Sequence, residues 1–398
     1  MSCCEEVEKN QENEQTPKLI FTRYLYIKNE VEISLLSAIL NKKNDESLFW
    51  AFELYYSGFT NDLLYLIWRI YFEFYATLNP TFEAFFLIKE KEAKEAIKEN
   101  NIVDSIDDNN DTIMPVFIAT IINNLLIRKY NTDVFFLREI TMNLEMETPY
   151  MPLLECFSTN NYETIAHYIV ETDDDDFKNQ QKIVDVAQEY FTTKGLNMKL
   201  FKSWKKTSTS VNPVNSKLII LSRIMHYYTL LNKEIKIGKS LYINVEAENL
   251  ITYKTKQISF NDPPNKILYL STIYSPDTNY IVLFNNNYKR PENIMNYYEI
   301  DWLYYASFSP VWKERITLLG GTIDHKYKRI AFYEEEDEDT FFDNYNYNPE
   351  EQSPKVQQRN IPIIPDKNPI NNWKEFYDKY KNNGLYIPGE DEMEALRF

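Results

Sequence analysis

Apolar residues recur at helical spacing through the first half of the chain. Val31, Ile33, Leu35, Leu36, Ile39 and Leu40 make one such face. Asn29, with Glu32 three residues on, fits a capping box ahead of it. A second helix runs from about Asp45 through Phe49, Trp50, Phe52, Leu54 and Tyr55 to Gly58, which stands where a C-terminal cap belongs. Thr60 is placed to cap a third, Asp62 to Leu78, which Asn79-Pro80 ends. A fourth begins at Thr81. Further helices are predicted over Thr112–Tyr130, with Pro115 tolerated in the first turn, over Tyr162–Glu171, Phe177–Thr192 and Ser216–Leu231.

The third of these helices is the most informative. Its polar residues Asp62, Arg69 and Glu73 fall within roughly 40° of one another at the α-helical repeat. Almost every other position is Leu, Ile, Tyr, Phe or Trp. So thin a polar stripe implies a helix covered on most sides, and hence helices stacked several deep. The alternative is that Tyr65, Tyr71 and Phe72 are exposed and dock a partner. Short loops between helix pairs suggest an irregular helical-repeat-like stack, without a true sequence repeat.

From about Lys233 the pattern changes to β-like alternation. Ser240–Val245, Leu250–Ser259, Ile267–Ile273, Tyr280–Phe284 and Lys328–Tyr333 read as extended, and Asn293–Tyr305 as helical. Glu334–Asp339 is six consecutive acids and Ile361–Pro369 is punctuated by proline. Such segments bury too little apolar surface to order themselves. The expected fold class is mainly α with a smaller α+β part. The boundaries are a disordered arm at 1–18, a helical domain at 19–232, a smaller α+β domain at 233–333 and an acidic tail at 334–398. Within that tail, Trp373, Phe376, Tyr377 and Tyr380 recur at helical spacing, followed by Leu385 and Tyr386. This island at 373–386 reads as a linear motif that binds a protein partner or docks back on its own domain.

Composition narrows the chemistry. The chain has 7 glycines against 31 tyrosines and 24 phenylalanines. Gly389 is followed by Glu390 where a P-loop needs Lys, and no G-x-G-x-x-G occurs, so both glycine-dependent nucleotide loops are excluded. The bias toward Asn, Ile, Lys, Phe and Tyr also matches AT-rich codons, so the shortage excludes these loops without implying selection against them. The net charge of −17 repels nucleic acid at long range, and no DNA partner is expected. Locally, Lys199, Lys202, Lys205 and Lys206 surround Trp204 and read either as a solvated lysine face or as a single-stranded RNA contact.

Cys3, Cys4 and Cys156 form no C-x-x-C pair, and His167, His226 and His325 fit no zinc-protease, deaminase or hydrolase motif. The acidic loops around Asp107, Asp108 and Asp111 and at Asp173–Asp176 lack the glycine and closing glutamate of an EF-hand. No cofactor, metal or catalytic residue is assigned. The acidic start lacks a leader-like apolar run, Ser2 excludes myristoylation, and no stretch is apolar enough to span a membrane.

At Phe21-Thr22-Arg23-Tyr24-Leu25-Tyr26, at Leu48 to Gly58 and at Trp302 to Ser309, the chain resembles a group of helical proteins of nucleocytoplasmic giant DNA viruses. That resemblance implies a viral factory in the host cytoplasm, with packaging in the virion as a further setting, and it transfers no site residues. Such viruses also encode a helical-repeat translation-initiation scaffold that binds its cap-binding partner through a Y-x-x-x-x-L-apolar peptide. Tyr380…Leu385-Tyr386 and Tyr298…Leu303-Tyr304 are similar to it, with Tyr in the apolar place. The expectation is a non-enzymatic scaffold that binds viral or host protein partners. The alternatives are an internal virion component and an enzyme with a diverged site.

Overall fold

The computed structural model of the chain describes residues 19–99, 112–143, 151–173, 176–210, 216–235, 237, 241–250, 280–281, 288–289, 297, 300–345, 373–382 and 384–396. Eleven helices come first: α1 (Lys28–Leu40), α2 (Asn44–Tyr56), α3 (Thr60–Ile70), α4 (Phe82–Glu99), α5 (Ile113–Leu126), α6 (Asp133–Asn143), α7 (Leu153–Thr159), α8 (Tyr162–Val170), α9 (Phe177–Thr193), α10 (Trp204–Ser210) and α11 (Ser216–Leu231). A π-turn, Tyr71–Tyr75, continues α3. The fold is mainly α with a small β part. Strands β1 (Tyr280–Ile281) and β2 (Tyr288–Lys289) form one antiparallel pair. Beyond them α12 (Trp302–Ala306) and α13 (Pro310–Leu318) precede a second pair, β3 (Thr322–Asp324) and β4 (Arg329–Ala331), in which Ile323 faces Ile330. The last helices are α14 (Glu335–Tyr345), α15 (Trp373–Tyr380) and α16 (Glu390–Ala395).

Local chemistry sets several of these boundaries. Gly58 adopts φ 88 just past the end of α2, the left-handed position that terminates a helix without a Cβ penalty. Asn161 and Asp176 cap α8 and α9 by accepting from the N–H groups of Thr164 and Asn179. Asp176 closes the expected acidic run, so that carboxylate serves a helix end. Asn29 and Thr60 are not caps. They lie inside the first turns of α1 and α3, whose N-caps are Ile27 and Phe59.

α1 packs on α2, and α2 on α5. α11 is buried along nearly its whole length and touches α6, α8, α9, α10 and the π-turn. The stack is therefore several helices deep. The thin polar stripe of α3 meets water at its start, where Asp62 is exposed, and runs inward through half-buried Arg69. Glu73 is fully buried, Tyr71 and Phe72 with it, and Tyr65 is half-buried against the core, so the exposed-aromatic reading fails at Tyr71 and Phe72. Its aromatics fill the core instead: Trp68 stacks on Phe86 with ring centres 3.6 Å apart and donates through Nε1 to Glu90 at 2.8 Å.

The expected strand over 240–245 does not form across the described residues 241–245. This stretch bonds to α5 side chains: Asn124 accepts from the Ile243 N–H and donates to its carbonyl, and Thr120 accepts from the Val245 N–H. Helix side chains replace the neighbouring strand. Residues 251–259 and 267–273 lie outside the described residues, as does the arm 1–18. The region of α12 and α13 does not stand apart from the helical stack. Trp312 is buried and donates through Nε1 to the Thr22 carbonyl at 3.1 Å, and the Val311 N–H donates to the Ser57 carbonyl.

The sequence reads as a disordered tail from Glu334, and here the structure differs. Glu335–Tyr345 is a helix anchored by buried Phe341, which packs against Phe332 and Trp312. Its acids occupy the first turn, where the helix dipole favours negative charge. Residues 346–372 lie outside the described residues.

Candidate interaction site

The aromatic island at 373–386 is placed on α6. Trp373, Phe376, Tyr380 and Tyr386 are buried, and Tyr377 and Leu385 are half-buried. Phe135 lies 5.7 Å from both Trp373 and Phe376, and Phe136 meets Tyr377 edge-on at 5.2 Å. Tyr380 extends the contact to the α1–α2 turn, where its hydroxyl accepts from Asn41 Nδ2 at 2.9 Å. Of the two alternatives open in the sequence, an external partner or the chain's own domain, these side chains take the second. The Tyr380…Leu385-Tyr386 phrase is not helical, since α15 ends at Tyr380 and Asn382 turns left-handed at φ 45.

One carboxylate fixes the turn after α15. Asp133, the first residue of α6, is buried and accepts from the backbone N–H groups of Leu385 at 2.9 Å and Tyr386 at 3.2 Å. Gly384 is pressed against it. A Cβ there would collide with Asp133 Oδ1 and come within 3.2 Å of Cγ. The Tyr377 hydroxyl donates to the Tyr386 carbonyl at 3.1 Å, so the turn is braced from both sides. α16 then brings Met393 and Leu396 into the core, and its Glu392 accepts from the Tyr386 hydroxyl and the Gly389 N–H.

Burial raises the Asp133 carboxyl to about 6, against the two N–H donors that favour its charge. Glu163 of α8 is raised as well, by burial and then by Glu392 beside it, while the Tyr386 hydroxyl opposes the shift. Both groups therefore hold a proton more firmly in the folded chain than in the unfolded one. The contribution is fully present below the ordinary carboxylate range and is lost as the pH rises through about 6. Asp133 alone is expected to favour the folded chain, with its C-terminal segment in place, by about 25-fold more at pH 4.5 than at pH 7.5. Hydrogen exchange at the Leu385 and Tyr386 amides, corrected for intrinsic rates, checks this; pH-independent protection would contradict it.

Behind the groove lies a buried ionic cluster. Glu73 in the π-turn accepts from Arg69 at 2.9 Å and from Arg138 of α6 at 3.0 and 3.2 Å, and Arg138 also donates to Glu139 at 2.6 Å. Burial works against the Arg138 charge, but Glu139 and Glu73 outweigh it and hold its pKa above the ordinary value. The four charges balance, and the cluster ties the groove-bearing helix to the core.

The other sequence-singled residues are apart from this site. Lys199, Lys202, Lys205 and Lys206 are exposed, but Trp204 is buried, with Nε1 donating to Gln181 at 3.3 Å. The exposed ring beside them is Phe177, whose centre lies 6.1 Å from that of Trp204. Tyr304 is buried, Leu303 is half-buried, and Tyr298 lies outside the described residues. His226 is a core residue bonded to the Thr77 carbonyl at 2.8 Å, and burial pushes its pKa down. Asp107, Asp108 and Asp111 lie outside the described residues.

A cleft of about 320 Å³ opens between Lys42, Tyr130, Arg128 and Asn382. Two of its cations are committed: Lys42 Nζ donates to the Tyr75 hydroxyl and to the carbonyls of Leu125 and Arg128 at the end of α5, and Arg128 binds Asn124 and the Leu241 carbonyl, while Lys129 on the rim is exposed. Among the described residues no group of three or more His, Cys, Asp or Glu is placed to hold a metal ion, and no helix is long and apolar enough to cross a membrane.

Sequence reasoning found the docking segment but missed its receptor. α6 carries Val134-Phe135-Phe136-Leu137, an unbroken apolar run with no helical period. The available signal was Asp133 ahead of it, in the first-turn position that acids favour. No protein family, no curated protein and no solved structure matches this chain.

Proposed function

We propose that the protein is a non-enzymatic helical scaffold that binds protein partners, with the α6 groove as the partner site and the C-terminal segment as its resident occupant. The observation that carries this reading is the docked segment, an aromatic helix plus a backbone turn held by one carboxylate, separated from α14 by 27 residues at 346–372. Aromatic anchors on a short helix are the means by which peptide motifs fill grooves. The sequence phrases that resemble giant-virus proteins support a cytoplasmic viral factory as the setting, with a role like that of a translation-initiation scaffold.

A labelled peptide of residues 371–398 tests the groove. It should bind a full-length chain carrying Gly384→Ala saturably, and bind wild type at least about tenfold more weakly, because the cis segment competes. Trp373→Ser/Phe376→Ser provides a second undocked chain. Equal binding to wild type and both variants, or binding to none, would contradict the groove. Affinity purification should recover more stoichiometric protein with the undocked chains than with wild type; recovery of no partner by any of them would sink the scaffold reading.

A further inference from the structure

The turn between β3 and β4 and the start of α14 carry opposite charges on neighbouring surface. Lys326, Lys328 and Arg329 are exposed at the hairpin tip. Asp324 shapes that tip by accepting from the N–H groups of Lys326 and Tyr327 at 3.1 Å each. Tyr327 is 62% exposed and lies near two cations, with Lys326 Nζ 5.0 Å and Arg329 Cζ 5.3 Å from its ring centre. Glu334–Asp339 occupy the opposite end. Asp337 Oδ2 lies 3.6 Å from where a Cβ on Gly320 would stand, so the acids sit at the hairpin base. Three-residue strands separate base from tip by about 10 Å. Among the described residues no ion pair joins the tip to α14; Arg329 reaches Asp324 at 3.7 Å.

Apolar surface accompanies these charges. Tyr333 is 87% exposed and Leu318 70% exposed, both at the hairpin base. Leu318 also lines a shallow cleft of about 440 Å³ along α13 with Pro310, Lys313, Glu314 and Thr317.

We propose that this face is a self-association surface and that its occupant is a second copy of the chain, with the basic tip of each hairpin against the acidic start of α14 in the other. A two-fold axis makes a patch with basic and acidic halves complementary to itself. Other occupants fit half of it. A polyanion meets the basic tip but is repelled by six adjacent acids and by a chain of net charge −17. A polybasic partner suits α14 and leaves the tip unmatched.

Sedimentation velocity on the full chain tests this. Wild type should show a concentration-dependent dimer that weakens with added salt. Lys326→Glu/Lys328→Glu should weaken it at least about tenfold, and Glu334→Lys/Glu335→Lys/Glu336→Lys/Glu338→Lys, which reverses the net charge of the acidic run, likewise. An equimolar mixture of the two variants should recover a dimer, since the reversed charges match across one of the two contacts. Both variants alter exposed residues, and circular dichroism verifies that they fold. A wild type that is monomeric at every concentration, a dimer that neither variant weakens, or a mixture that stays monomeric would each overturn the proposal.

Discussion

Replacing Gly384 with alanine should release the turn that follows α15. The new methyl would occupy the place of Asp133 Oδ1, and that carboxylate cannot retreat without giving up the N–H groups of Leu385 and Tyr386. Each such bond to a charged acceptor contributes about 1.5–3 kcal/mol, so the loss is about 3–6 kcal/mol in the docked state. The expected readout is at least about a hundredfold loss of exchange protection at the amides of residues 385 and 386. Gly389→Ala is the control. Its added carbon would meet Glu392 Oε2 at 3.4 Å, an ordinary contact, and should leave protection unchanged. Unchanged protection in Gly384→Ala would show that Asp133 does not hold the segment.

Glycine thus matters here by its smallness. Counting glycines excludes phosphate loops, but nothing in the sequence says that Gly384 must clear a carboxylate some 250 positions away (the Leu385 to Asp133 separation is 252). Only the fold brings the two together.

The same distinction between local and distant information divides what was legible. Ser216–Leu231 is a helix with the bounds its apolar density predicts, and Gly58 ends α2 as its position implies, because both depend on neighbours within a few residues. The acidic run at 334–339 misleads for the opposite reason. Its charge argues against order, yet Phe341, Phe342 and Tyr345 lie just beyond it, and Phe341 and Tyr345 pack on Trp312. Tertiary burial of a few aromatics outweighs a solvated first turn. At 373–386 the helical spacing of the aromatics was plain, while the surface they cover was not. α6 lacks a helical period in its apolar residues, since α8, α11 and the C-terminal segment approach it from several directions.

Loss of Glu73 should be the most damaging change in the core. The π-turn makes room for it: the Ala76 N–H reaches the Tyr71 carbonyl at 2.7 Å, and the wider turn changes the register of side chains after Ile70. Glu73 then stands fully buried between Arg69 and Arg138. Glu73→Leu keeps the volume but takes away the carboxylate that Arg69 and Arg138 share, while Glu32, which also faces Arg69, is engaged by Lys28. Removing one partner of a buried ion pair costs about 3–5 kcal/mol, a large share of the 5–15 kcal/mol typical of a folded domain. Urea denaturation followed by circular dichroism should show a correspondingly lower midpoint. The double variant Glu73→Leu/Arg138→Leu removes one charge of each sign and leaves Arg69 with Glu139. It should therefore be more stable than Glu73→Leu alone, since the second substitution relieves the charge that the first exposed. If the double variant instead loses the sum of the two single losses, the four residues do not act as one balanced cluster, and each arginine is held by packing independent of its carboxylates.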